Sequence, residues 1–115
     1  MAVSTALKRA LRLIAGALID YAKDQGWSPE DYWIYYHINS RWDKIHITFV
    51  AKGLAGKGDF QNYASVRRYL ESKLADEPEL LNSLGLVVRS LKQVEEGGIY
   101  AIGPEYRDYW TLSRR

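Results

Sequence analysis

Two runs, Tyr32 to Asn39 (YWIYYHIN) and Lys44 to Ala51 (KIHITFVA), are separated by only Ser40-Arg41-Trp42-Asp43. Nothing else in the chain restricts its fold as much. Both runs are rich in aromatic and β-branched residues, which suit a pleated, half-buried surface. Four residues are too few for a crossover, so the runs pair antiparallel as a hairpin. Side chains alternate across a strand, and a slip of one residue would turn every apolar group to water. Pairing Ile38 with Ile45, Tyr36 with Ile47 and Ile34 with Phe49 gathers all six on one face and closes the four-residue loop. The opposite face then carries Trp33, Tyr35 and His37 against Val50, Thr48 and His46, so both histidines of the chain share it.

The apolar face of such a hairpin needs a second layer. Leu7, Leu11, Ile14, Leu18 and Tyr21 recur every three or four residues, with Ala10, Ala17 and Ala22 beside them. This spacing predicts a helix over residues 4–24, capped by Ser4 or Thr5 and ended by Gly26. Pro29 makes Trp27-Ser28-Pro29-Glu30-Asp31 a turn. After the hairpin, the link Lys52-Gly53-Leu54-Ala55-Gly56-Lys57-Gly58 leads to a second helix over about residues 60–76, with Asp59 or Asn62 as its cap. Tyr63, Val66, Leu70 and Leu74 form its buried stripe, and Arg67 with Glu71 is an i,i+4 pair on its wet side.

Beyond Pro78 two readings stand. Leu80, Leu84, Val87, Val88, Leu91 and Val94 fit one helical stripe ending at Gly97-Gly98, and periodicity leans that way. The rival is a short helix, a strand through Leu86-Val87-Val88, a turn at Glu95-Glu96-Gly97-Gly98 and a strand from Ile99 to Ile102. Gly85 and the adjacent valines favour it. The tail from Pro104 to Trp110 is too aromatic for a free end and is expected to pack on the domain, leaving only Ser113-Arg114-Arg115 loose. The expectation is therefore an α+β fold, a small two-layer single domain over 1–115. Its order is helix, antiparallel β-hairpin, helix, then a C-terminal helix or strand pair.

At 115 residues the chain is long enough for one core without metal or disulfide staples. With 47% hydrophobic and 26% charged residues it is too apolar to be disordered. The absence of cysteine excludes disulfides, thiolate zinc sites, cysteine-held clusters and a cysteine nucleophile, and it fits a reducing compartment. A net charge of +2 is low for a dedicated binder of phosphate backbones. Lys8, Arg9 and Arg12 ahead of LIAGALI (Leu13 to Ile19) look like the start of a signal peptide. Asp20 follows at once, however, and no cleavage pattern precedes YAKDQ. The run is also too short to cross a bilayer. It reads as an amphipathic helix of a cytoplasmic protein with no membrane partner.

Chemistry-bearing patterns are sparse. A phosphate loop of the Walker type needs four residues between its first glycine and the Gly-Lys pair. Here only two residues separate Gly53 from Gly56, and Gly58 follows Lys57 where Ser or Thr is required. Leu54-Ala55-Gly56-Lys57 followed by Val66 and Leu70 resembles the link and second helix of BolA-like proteins over about 20 residues. Asn62-Tyr63 stands where that family carries Arg-His, so the resemblance implies no cluster ligand. His37 and His46 are cross-strand neighbours, but zinc takes three or four ligands and the nearest carboxylates, Asp31 and Asp43, lie at the hairpin ends. No Gly-x-Ser-x-Gly elbow is present to expose a nucleophile, and Asp76-Glu77 and Glu95-Glu96 are merely adjacent in sequence. The expectation is a non-enzymatic protein without cofactor, metal or catalytic residues.

What remains is the outer hairpin face. Trp33, Tyr35, His37 and His46, with Trp42, Arg41 and Lys44 near the turn, combine flat rings with cations. Aromatic enrichment of this kind marks protein interfaces. The leading expectation is a module that binds another protein or a second copy of itself through Trp33, Tyr35, His37, Trp42, Lys44 and His46. The alternative is a single-stranded nucleic-acid binder that stacks bases on the rings and places Arg41, Lys44, Lys52 and Lys57 on phosphates. A third occupant is internal: the C-terminal segment, with Tyr100, Tyr106, Tyr109 and Trp110, covering the same face.

Overall fold

The structure, a computed structural model, describes residues 5–97 and 102–110. It opens with α1 (Thr5–Asp24), whose apolar stripe of Leu7, Leu11, Ile14, Leu18 and Tyr21 is buried along its length. The helix stops as glycine chemistry dictates. Gly26 adopts φ 80 and donates to the Lys23 carbonyl at 3.0 Å, while the Trp27 amide reaches back to Ala22 at 2.9 Å. These are the two bonds of a Schellman cap. A short 3-10 turn, Pro29–Asp31, then delivers the chain to β1 (Tyr32–Asn39) and β2 (Lys44–Ala51).

The hairpin has the register that the alternation requires, with Ile34 opposite Phe49, Tyr36 opposite Ile47, His37 opposite His46 and Ile38 opposite Ile45. Ile34, Ile45, Ile47 and Phe49 are fully buried against the helices. After β2 a 3-10 turn, Lys52–Leu54, and the glycine-rich link lead into α2 (Asp59–Lys73). This helix crosses back over the same face so that β3 (Leu84–Ser90) lies parallel to β2, Ile45 beside Leu84 through Ala51 beside Ser90. A parallel neighbour demands such a crossover. The two helices are tied by Tyr21 to Ser65 at 2.9 Å and by Tyr69 to Asp24 at 2.8 Å. A third helix, α3 (Leu91–Gly97), follows β3 directly, and a two-residue strand, β4 (Arg107–Asp108), pairs with Tyr36 and Tyr35 on the other side of β1. The sheet order is β3-β2-β1-β4.

The α+β class and the helix, hairpin, helix order match the sequence expectation. Three details differ. The single helix drawn through Leu80 to Val94 is instead a 3-10 turn (Pro78–Ser83), a strand and a helix. The rival reading found the strand, but α3 occupies the place of its turn. Its second strand is not seen at Ile102, and residues 99–101 lie outside the described residues. In α2 the cap is Gly58, whose amide donates to Gln61 Oε1 at 3.4 Å, and the helix ends at Lys73. Its stripe differs at one position: Val66 and Leu70 are buried as expected, but Asn62 is buried with them and Tyr63 is 38% exposed. The cause is a hydrogen bond, since Asn62 Nδ2 donates to the Leu54 carbonyl at 3.1 Å and holds the glycine-rich link against the helix. A buried carbonyl left without a donor would be costly.

Candidate functional site

The outer face of the hairpin is built by strand alternation alone. From the turn inward it carries Asn39 beside Lys44, His37 beside His46, Tyr35 beside Thr48 and Trp33 beside Val50. β3 extends it with Gly85 next to His46, Val87 next to Thr48 and Arg89 next to Val50. The two imidazoles lie face to face, ring centroids 6.1 Å apart and planes 21° from parallel. His46 rests over Gly85, where a Cβ would come within 2.9 Å of its Nδ1. That contact explains why the strand interrupts its apolar run with a glycine, which has no side chain to displace the ring.

The C-terminal tail covers the middle of this face. The Tyr106 ring sits 6.0 Å from the His37 ring, and its hydroxyl is hydrogen-bonded to Thr48. Burial pushes the Tyr106 phenol up from its usual range, and Thr48 partly offsets this. From there the chain pairs as β4 along the β1 edge and passes to the inner side. Tyr109 meets Tyr36 at 6.4 Å, and Trp110 meets Tyr32 at 5.9 Å. The aromatic tail thus packs on the domain as its composition required. Tyr100 lies outside the described residues.

Five of the six residues singled out from sequence share one face: Trp33, Tyr35, His37, Lys44 and His46. Trp42 stands apart in the connecting turn, and its indole is 68% exposed. The turn is held by Asp43, which takes φ 50, and by the Trp42 amide donating to Asn39 at 3.3 Å. Lys44 is exposed, but its ammonium donates to the Asn82 carbonyl at 3.0 Å. Among the described residues no three His, Cys, Asp or Glu side chains come together as metal ligands. Alternation could not reveal that Thr48 and Val50, on the supposedly wet face, are buried, since that depends on what crosses them. Nor did it reveal Phe60, 82% exposed in the first turn of α2, although Phe60 lies opposite the Val66 and Leu70 side of that helix.

No family model, curated protein or solved structure matches the chain. No helix among the described residues is long and apolar enough to cross a membrane.

Proposed function

We propose that the protein is a non-enzymatic binding module that engages another polypeptide, a second copy included, through the tip and adjoining outer face of its hairpin. The observation that carries this reading is Trp42, a large indole 68% exposed in the turn that joins the two central strands of the sheet. Tryptophan is the side chain most enriched among interface residues that dominate affinity, because it buries much area while losing little conformational freedom. Trp33 and Tyr35, half-buried on the outer face beyond the part that Tyr106 covers, are further rings on the same side of the hairpin.

Nucleic-acid binding fits less well. Of the four cations it would place on phosphates, Lys44 is held by Asn82 at 3.0 Å and Lys52 lies 3.4 Å from Asp31. Lys57 sits before α2, at the opposite end of β2 from the turn that carries Arg41. The test is solution mass by light scattering, alone and with a generic oligonucleotide, together with partner capture, for the wild type and for Trp42→Ala. The expected result is that association through the tip, read as captured partner or as mass above that of the Trp42→Ala variant, is lost by at least about thirtyfold in the variant, the effect of one strong interface residue, and is insensitive to salt. Association that falls steeply with added salt and requires the oligonucleotide would replace this reading with the nucleic-acid one. If the combined Trp33→Ala, Tyr35→Ala, Trp42→Ala variant behaves as wild type in all three assays, both readings fail.

A further inference from the structure

Among the described residues β3 is the outermost strand on its side of the sheet, so half of its backbone groups point away from β2. Three bonds tell which half. The Leu84 amide donates to the Leu81 carbonyl, the Ser90 amide donates to Gln93 Oε1 at 2.8 Å, and the Val88 carbonyl accepts from Arg89 Nη1 at 3.0 Å. The amide and carbonyl of one residue point to the same side of a strand, and those of the next residue to the other. Leu84, Leu86, Val88 and Ser90 therefore face outward, while Gly85, Val87 and Arg89 bond to β2. Four outward groups between Leu84 and Val88 remain without a partner among the described residues. They are the Leu84 carbonyl, the Leu86 amide and carbonyl, and the Val88 amide.

This set is two acceptors and two donors arranged symmetrically about Leu86. The window LGLVV around it has no charge and no proline, the devices that usually protect an open edge. Its Leu84, Leu86 and Val87 side chains are only half-buried.

We infer that the β3 edge is the seat of a second copy of this chain, the two β3 strands pairing antiparallel about a two-fold axis at Leu86. Each Leu86 exchanges both its bonds with the partner's Leu86, and each Val88 amide donates to the partner's Leu84 carbonyl. Every open group is then satisfied. The two groups already satisfied within the chain, the Leu84 amide and the Val88 carbonyl, fall opposite one another across the interface. A foreign strand of ordinary pattern would instead set a fresh carbonyl and a fresh amide against them. On the side chains, Leu86 meets the partner's Leu86, Leu84 meets the partner's Val88, and Gly85 leaves room for the partner's Val87. Arg89, the only charge in the strand, falls opposite the partner's Ser83. It is then about 20 Å from its own copy, at roughly 3.4 Å per residue. The interface is isologous, as a closed dimer requires. It lies on a sheet edge and does not rest on the hairpin-tip reading.

Two substitutions test it. Leu86→Pro removes the central outward amide while leaving the ladder to β2, and Val87→Lys places like charges diagonally across the axis. The wild type is expected to show twice the 13.2 kDa chain mass by sedimentation. Both variants should run at the single-chain mass with unchanged far-ultraviolet dichroism, and Trp42→Ala should leave the dimer intact. Amide exchange on the wild type provides the check that needs no substitution. Leu86 and Val88 should gain protection of about tenfold or more from dilute to concentrated protein, with Gly85 and Val87 protected throughout. A wild type that stays monomeric at high concentration overturns the inference. So does a dimer that survives both folded variants, or one whose Leu86 and Val88 amides exchange at the same rate at every concentration.

Discussion

Single atoms decide two glycine positions in opposite directions. Gly53 lies against the Trp27 indole, and a Cβ added there would come within 2.4 Å of Nε1 and 2.7 Å of Cζ2. Trp27 cannot easily give way, since it packs edge-on to Tyr21 at 5.9 Å and lies 6.4 Å from Phe49. Gly53→Ala is expected to destabilise by about 1–3 kcal/mol, the cost of overpacking a filled site. Gly16 is a helix-interior glycine with nothing within 4 Å of the added carbon. Gly16→Ala should therefore stabilise by about 1 kcal/mol, the helix-propensity difference. Urea midpoints at unchanged slope measure both. Titration offers a second residue-level outcome. Burial, reinforced by the hydrogen bond to Asp24, pushes the Tyr69 phenol up to about 12. Its neutral form is thus favoured in the folded state. The stability it contributes is fully present below the ordinary tyrosine value of 10 and is lost as pH rises toward 12. Tyr69→Phe should remove that part of the alkaline loss, seen by melting at pH 9 through 12 beside the ultraviolet titration of the phenol.

At the scale of elements, β3 passes into α3 without a loop, and the join is a capping box. Gln93 N–H donates to Ser90 Oγ at 3.2 Å while Gln93 Oε1 accepts from the Ser90 amide at 2.8 Å. The same glutamine donates to Asp59 at 2.7 Å and so links α3 to the start of α2. Ser90→Ala is expected to cost about 1 kcal/mol, the usual loss of a helix cap, read from the chemical-denaturation midpoint. That motif also shows what sequence conceals. Ser90-x-x-Gln93 is visible in the chain, but the pattern of Leu80, Leu84, Val87, Val88, Leu91 and Val94 overrode it, because a strand running straight into a helix mixes two periods. β3, half-buried on both faces over Leu84 to Val87, also lacks the clean alternation that exposed β1 and β2. The hairpin register was legible for the opposite reason: alternation puts Ile34, Tyr36, Ile38, Ile45, Ile47 and Phe49 on one face, and closing the four-residue loop pairs Ile38 with Ile45. In α2 the apolar count preferred Tyr63 over Asn62, and only the distant Leu54 carbonyl reverses that choice.

For the molecule as a whole, the tail acts as a strap around the β1 side of the sheet. Tyr106 lies on the outer face over His37, Arg107–Asp108 run along the edge, and Tyr109, 8% exposed, closes on Tyr36 from within. The candidate site was legible as a set of residues but not as a surface, because His37 and Thr48 look wet until a segment some 60 residues later in the chain crosses them. Rings on both sides of one strand, joined by two ladder residues, should dock together. Tyr109→Ala alone is expected to cost about 3 kcal/mol, as for other buried aromatics, and Tyr106→Ala about 2 kcal/mol. If the strap binds as one unit, removing either ring loosens the other, so the double variant must cost less than the two single costs added together. The shortfall should be about 1 kcal/mol or more, measured by a double-mutant cycle in urea. Additive costs would mean that the two faces hold the tail independently, and that Tyr106 could lift from His37 while Tyr109 stays in the core.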